Sequence, residues 1–228
     1  MIDLLYLTHN RLEFTKASLA ALIANTNWSL VDRFLIYDDN STDGTREYLA
    51  TVVYPKAPEF QFGACGSPVA VMNHYLSAQS PHSDKIFGKI DSDTMVPAGW
   101  LGECLDVMER NRKTLDLLGI EAFNEVIPEP APRSFTDARY IGGIGLMRIG
   151  AFVTLPRPSG RFGFTAWQTE SAKVCKGWLN PSLPVFLLDR LPREPWSTLS
   201  KEYVEKGWQR YWTPYDETYK PLWSWWCQ

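Results

Sequence analysis

Lys85-Ile86-Phe87-Gly88-Lys89-Ile90-Asp91-Ser92-Asp93 is an apolar run that ends in two carboxylates one residue apart. Its length and its β-branched and aromatic content predict a buried strand. Residues i and i+2 of a strand share a face, so Asp91 and Asp93 are expected to point together at its carboxyl end. Carboxylates that close raise one another's pKa unless a cation stands nearby. Two readings follow: a divalent-cation site, or a polar strand exit with no ligand. The choice rests on what else the chain brings to the same edge.

Two earlier segments share the pattern. Residues 4–7 (LLYL) read as a short buried strand with Thr8-His9-Asn10-Arg11 as its exit. Leu12, Leu19, Leu22 and Ile23 then give residues 11–24 one apolar helical face. Residues 34–37 (FLIY) form a second strand that runs into Asp38-Asp39-Asn40-Ser41-Thr42-Asp43-Gly44-Thr45. A helix follows, with Ser41 or Thr42 as its expected cap. A short strand is expected near Phe60 to Phe62, then a helix opened by Ser67-Pro68 with Val69, Met72, Tyr75 and Leu76 on its apolar face. Strands alternating with helices predict an α/β domain with a mostly parallel central sheet, and such sheets bind ligands at the carboxyl ends of their strands. Three polar clusters, at Thr8–Arg11, Asp38–Asp43 and Asp91–Asp93, therefore point to one cleft.

The chain has 228 residues, 45% hydrophobic and 21% charged, with a net charge of −3. It suits one well-buried domain, and no stretch has the roughly 18 apolar residues of a membrane helix. No basic, cleavable leader opens the sequence, so the expected compartment is the cytoplasm. Cysteines at 65, 104, 175 and 227 and histidines at 9, 74 and 82 show no zinc spacing and predict reduced, packed thiols. A sequence pI of about 5.7 argues against a broad nucleic-acid surface. Trp212, Trp223, Trp225 and Trp226, with Tyr211, Tyr215 and Tyr219, crowd the tail. An acceptor platform, a homodimer contact, a membrane-surface anchor and simple packing on the domain all remain open for it.

In the second half, a helix is expected at about Trp100 to Arg112 and a strand at residues 115–120. Residues 121–140, with three prolines, read as a loop over the site. Gly142-Gly143-Ile144-Gly145 lacks the third glycine of a dinucleotide fingerprint, since Arg148 stands there. Residues 166–176 read as a short helix ended by Gly177. Residues 185–188 (VFLL) form a last strand with Asp189 at its exit.

Taken together, these motifs resemble the inverting family-2 glycosyltransferases of the GT-A fold. "LLYLTHNR" is similar to their first strand and loop. "FLIYDDNSTDGT" is similar to their second-strand motif, with Asn40 where glycine is usual. "MNHYLSAQ" followed by "KIFGKIDSDTMVPAGWL" looks like their helix and Asp-x-Asp strand. The match spans residues 4 to 105 and is looser beyond. It implies a GT-A-like domain at 1–195, with a nucleotide-sugar half at 1–105 and an acceptor half at 106–195, and an aromatic extension at 196–228 packed on it.

The resemblance implies that Thr8 and Asp39 contact the base with Arg11 close by, that Asp91 approaches the ribose, and that Asp93 binds Mn²⁺ or Mg²⁺. The chemistry asks for such residues independently. A departing nucleoside diphosphate develops charge that a hard cation offsets, and an acceptor hydroxyl needs a carboxylate base. The corresponding stretch "GFTAWQTESAKVCKGW" offers Glu170 as that base, with Glu121 and Glu125 in reserve, and Trp167 beside the sugar or acceptor. Asp189 takes the place of a histidine ligand that family members carry after the last strand. Arg148 and Lys89 are candidates for charge near the diphosphate. The implied reaction moves one sugar from a UDP-, GDP- or TDP-sugar to a glycan, protein, lipid-linked sugar or modified nucleobase. A sugar nucleotidyltransferase and a binding protein without turnover are the competing readings.

Overall fold

The computed structural model describes residues 1–66, 68–80, 82–120, 134–137, 141, 144–153, 176–180 and 186–187. The amino-terminal part alternates strand and helix as its apolar periodicity requires: β1 (Ile2–Thr8), α1 (Leu12–Asn25), β2 (Val31–Asp38), α2 (Thr45–Thr51), β3 (Glu59–Phe62), α3 (Pro68–Ser77) and β4 (Ile86–Asp91). Then come β5 (Thr94–Met95), α4 (Trp100–Arg110), β6 (Leu117–Gly119), β7 (Ser134–Asp137), β8 (Gly145–Arg148), α5 (Ile149–Val153), β9 (Lys176–Asn180) and β10 (Phe186–Leu187).

Eight strands form one mixed sheet in the order β3-β2-β1-β4-β8-β6-β9-β7. The first four are parallel, with Leu4 opposite both Phe34 and Gly88. β8 runs antiparallel to β4 and β6, and β9 is parallel to β6. β1 leads through α1 to β2 on one side while β4 lies on its other side. The chain thus reverses direction across the sheet at β1, where such folds open their crevice.

Alternation along β1 and β2 divides two apolar layers. Ile2, Leu4, Tyr6, Phe34 and Ile36 face a cluster containing Leu19 and Leu22 of α1, Leu49 of α2 and Trp100, Val107 and Met108 of α4. Leu5, Leu7, Leu35, Tyr37 and Phe87 face Val69, Met72 and Leu76 of α3 and Ile149 of α5. Helices on both faces explain why these strands are buried throughout rather than on alternate residues.

The structure corrects several expectations. β4 ends at Asp91, and Asp93 lies in the turn that joins β4 to β5. The two carboxylates are therefore not i, i+2 neighbours on one strand. The expected loop at 121–140 contains β7, which pairs antiparallel with β9. Gly177 ends no helix: it lies inside β9, opposite Leu118 on one side and Asp137 on the other. β10 pairs with β5 in a two-stranded ribbon outside the main sheet, with Leu187 opposite Thr94. Cys104 is buried as a packed thiol, whereas Cys65 is exposed.

Candidate functional site

The carboxyl ends of the parallel strands are joined through their backbones. The Asp39 N–H donates to the Thr8 carbonyl at 2.9 Å, Ser92 N–H to the Leu7 carbonyl at 3.0 Å, and Gly63 N–H to the Asp38 carbonyl at 3.1 Å. The loops after β1, β2, β3 and β4 are thereby held side by side.

Within the β2–α2 loop the two adjacent aspartates have different tasks. Asp38 is fully buried. It accepts the Ser41 N–H at 3.1 Å, the Ser41 hydroxyl, and Arg46 Nε at 3.0 Å. Asp39 is partly exposed and accepts the Gly66 N–H at 3.1 Å. The 63–66 loop can lie this close because residue 63 is glycine: a Cβ there would meet the Tyr37 hydroxyl at 2.1 Å. That hydroxyl donates to Cys65 Sγ at 2.9 Å.

Neither Ser41 nor Thr42 caps a helix. Asp43 Oδ1 accepts the Thr45 N–H at 3.1 Å and the Thr45 hydroxyl at 2.6 Å, while Oδ2 accepts the Leu12 N–H at 2.8 Å. One carboxylate thus serves the first turns of both α2 and α1, where exposed N–H groups favour negative charge. Burial tends to raise its pKa, but these bonds outweigh burial and hold the group below its ordinary value.

Asn10 and Arg11 adopt the left-handed region at φ 55° and 63°. Non-glycine residues there cost on the order of 1 kcal/mol each, so the turn is held by its neighbours. Asn10 N–H donates to Ser41 Oγ at 2.7 Å, and Thr42 N–H donates to Asn10 Oδ1 at 2.8 Å. The turn directs Arg11 across to the β4 exit, where Nη1 lies 2.7 Å from Asp93 Oδ2.

Asp91 is paired from within its own strand. Lys89, 1% exposed, donates to Asp91 Oδ1. Burial raises the Asp91 pKa above its ordinary value, with Lys89 opposing the rise and Asp93 adding to it. The two carboxylates are thus electrostatically in reach of one another without sharing a strand face. From below, Tyr6 and Ser18 share a hydrogen bond at 2.6 Å, and the Ser18 hydroxyl donates to the Ser92 carbonyl at 2.7 Å. Asn25 donates to the Val96 carbonyl at 2.8 Å. α1 therefore fixes the turn that carries Asp93.

Three of the expected site residues meet here, Arg11, Asp91 and Asp93, and Asp39 stands at the neighbouring strand exit with its N–H on the Thr8 carbonyl. The Thr8 hydroxyl is turned inward instead, 2.9 Å from Thr15 Oγ1 on α1, and Thr8 is 1% exposed. Its hydroxyl fixes the loop to α1. Arg148 is excluded from the cleft because β8 is antiparallel to β4, which places it opposite Ile86 at the other end of the strand. Its guanidinium binds the carbonyls of Leu115 and Met108. Trp167, Glu170, Asp189, Glu121 and Glu125 lie outside the described residues. Asp38, Asp43 and Ser18 are supports that the sequence reading missed: Asp38 is satisfied within its own loop and by the helix that follows, Asp43 joins that helix to Leu12, and Ser18 meets Tyr6 and Ser92 across the fold.

Among the described residues, no three His, Cys, Asp or Glu side chains gather as a metal cage. Asp91 and Asp93 nevertheless supply an all-oxygen pair. One or two carboxylates completed by substrate phosphates is a common way of holding Mg²⁺, so the donor set suits a hard divalent cation.

A sheet of this order with acidic loops at its parallel strand ends is the architecture of the GT-A glycosyltransferases. The family model described as "Glycosyl transferase family 2" matches residues 5–167, and the chain belongs to that family. Similar solved structures include S. aureus TarS 1-349, at 12% identity and a TM-score of 0.60 over 82% of this chain and 60% of that one. TarS 1-349 in complex with UDP-GlcNAc matches at 12% identity and a TM-score of 0.62, over 81% of this chain and 57% of that one. A longer TarS structure matches at 14% identity and a TM-score of 0.58, and this chain spans 36% of it. No match was found among curated protein sequences.

Proposed function

We propose that this chain transfers one sugar from a uridine diphosphate sugar to an acceptor hydroxyl, with inversion and with Mn²⁺ or Mg²⁺. The observation that carries the reading is that Asp39, the Arg11–Asp93 pair and Asp91 stand at adjacent carboxyl ends of β2, β1 and β4. The choice of uridine among UDP, GDP and TDP draws on the neighbours solved with UDP and UDP-GlcNAc.

In this reading Asp39 accepts the imide N–H of the base, on a loop held by Asp38 and Asp43. Asp91 accepts from the ribose hydroxyls. Asp93, with Asp91 close by, holds the cation. Asp189 is a further candidate ligand, since it follows by two positions Leu187, which pairs with the residue after Asp93. When bound, the cation offsets the charge that develops on the leaving diphosphate.

The acceptor oxygen attacks the anomeric carbon opposite the diphosphate. The bond from that carbon to the β-phosphate oxygen breaks, and its electron pair leaves with the UDP. A single displacement inverts the centre. The acceptor proton passes to a carboxylate, for which Glu170 is the proposed base and Glu121 and Glu125 the reserves. Trp167 is proposed to stack on the sugar or the acceptor.

The test is thermal melting with UDP, GDP and TDP, with and without Mn²⁺. A rise with UDP that Mn²⁺ enlarges supports the reading, and no rise with any nucleotide refutes it.

A further inference from the structure

We propose that Arg11 is a positioning residue that occupies Asp93 until a nucleoside diphosphate draws it away, so that cation binding follows nucleotide binding. This rests on the nucleotide-sugar reading above and assigns the order of events within that site.

Three observations carry it. First, the Arg11 guanidinium lies 2.7 Å from Asp93 Oδ2, with the two side chains 23% and 13% exposed. A divalent cation cannot reach that oxygen while the guanidinium is on it, and the two cations repel one another. Second, the cations serving the two carboxylates differ in their freedom to leave. Lys89 is 1% exposed in the middle of β4, with Leu5 of β1 and Gly145 of β8 on either side. Arg11 comes from a partly exposed turn at the cleft rim. Asp91 keeps its internal partner, whereas Asp93 can be released. Third, the turn that aims Arg11 is fastened through Asn10 to Ser41 and Thr42, in the loop that presents Asp39. A nucleotide gripped at Asp39 therefore brings its phosphates towards the residue that holds Asp93. A diphosphate offers a guanidinium a charge-assisted, forked partner, which suits arginine better than lysine.

The consequence is a low affinity for the cation when no nucleotide is present. Mn²⁺ binding to the full chain without nucleotide, followed by the electron paramagnetic resonance of free Mn²⁺, compares wild type with Arg11→Met and Arg11→Gln. Both variants are expected to bind Mn²⁺ roughly tenfold more tightly than wild type, which is the release of one competing contact. Adding Asp93→Asn to either variant is expected to abolish the gain, and Arg11→Lys is expected to stay near wild type. A merely structural role for Arg11 would lower the melting temperature and leave Mn²⁺ affinity unchanged or weaker. If every protein binds Mn²⁺ with UDP but the two Arg11 variants bind it no better than wild type without UDP, the role of Arg11 is overturned and the metal-dependent reading stands. If wild type takes no Mn²⁺ even with UDP, the underlying reading fails and the proposal with it.

Discussion

Replacing Asp38 by alanine separates the residue that holds the β2–α2 loop from its neighbour Asp39, which is partly exposed. Asp38 is fully buried and accepts two bonds from Ser41 and one from Arg46. Hydrogen bonds to a charged acceptor are each worth about 1.5–3 kcal/mol. The Arg46 side chain is 41% exposed, so water takes up much of its loss and its share is held to about 1 kcal/mol. Bonds that share one acceptor do not add, and the expected cost is about 3–4 kcal/mol. For a chain of this size that is a fall of roughly 10 °C in melting temperature. Asp38→Asn keeps the shape and an acceptor for the Ser41 N–H, and is expected to lose only about half as much. Asp39→Ala leaves one loop N–H to solvent and is expected to cost less than about 1 kcal/mol. It should nonetheless weaken UDP at least as strongly as Asp38→Ala does. Urea unfolding and UDP titration on the three variants read both quantities. If Asp38→Ala stays within about 1 kcal/mol of wild type, or Asp39→Ala destabilises as much as Asp38→Ala, the division of labour is wrong.

Other expectations come from the supports around the cleft. Asp43→Asn removes charge from two helix starts and should cost about 1 kcal/mol at neutral pH. Because the folded carboxyl is held below its ordinary value, that stabilisation is present above the unfolded pKa near 3.9. It is lost as pH falls through the folded value, so wild type and variant should converge in melts below about pH 4. Gly145 adopts φ 152°, and a Cβ there would lie 2.1 Å from the Leu118 carbonyl oxygen. Gly145→Ala should therefore cost at least about 3 kcal/mol in urea unfolding, and wild-type stability would contradict the β6–β8 register. Ser18→Ala removes the bond to the Ser92 carbonyl and one partner of the buried Tyr6 hydroxyl. A loss of about 1–3 kcal/mol in urea unfolding is expected, with weaker Mn²⁺ binding in the presence of UDP because the Asp93 turn loses its support.

Local pattern carried the parallel half of the fold. Residues 4–7 of β1, 34–37 of β2 and 86–90 of β4, the last broken only by Lys89, run to a polar exit, since buried strands between two helical layers have no polar face to blur the signal. The antiparallel half was harder to read. β7 sits in a proline-rich stretch, and Gly177 after a lysine looks like a helix cap although its place is set by pairing with β6 and β7. The acidic strand exits were legible as a pattern, whereas the structural roles of Asp38 and Asp43 within it were not. Nor were the partners of these carboxylates. Arg11 meets Asp93 across 82 positions, and Asp43 caps a helix that begins 31 positions before it. Such pairings belong to the sheet order, which no local window contains.

The most direct measurement of the central claim is the release of UDP from UDP-GlcNAc, read by mass, for wild type and Asp93→Ala with Mn²⁺ and with excess EDTA. Release by wild type with Mn²⁺ that is lost both on chelation and in Asp93→Ala is the result expected of a cation-assisted transferase site at the β4 exit. Equal release by wild type and Asp93→Ala, or release by wild type undiminished by EDTA, would contradict it.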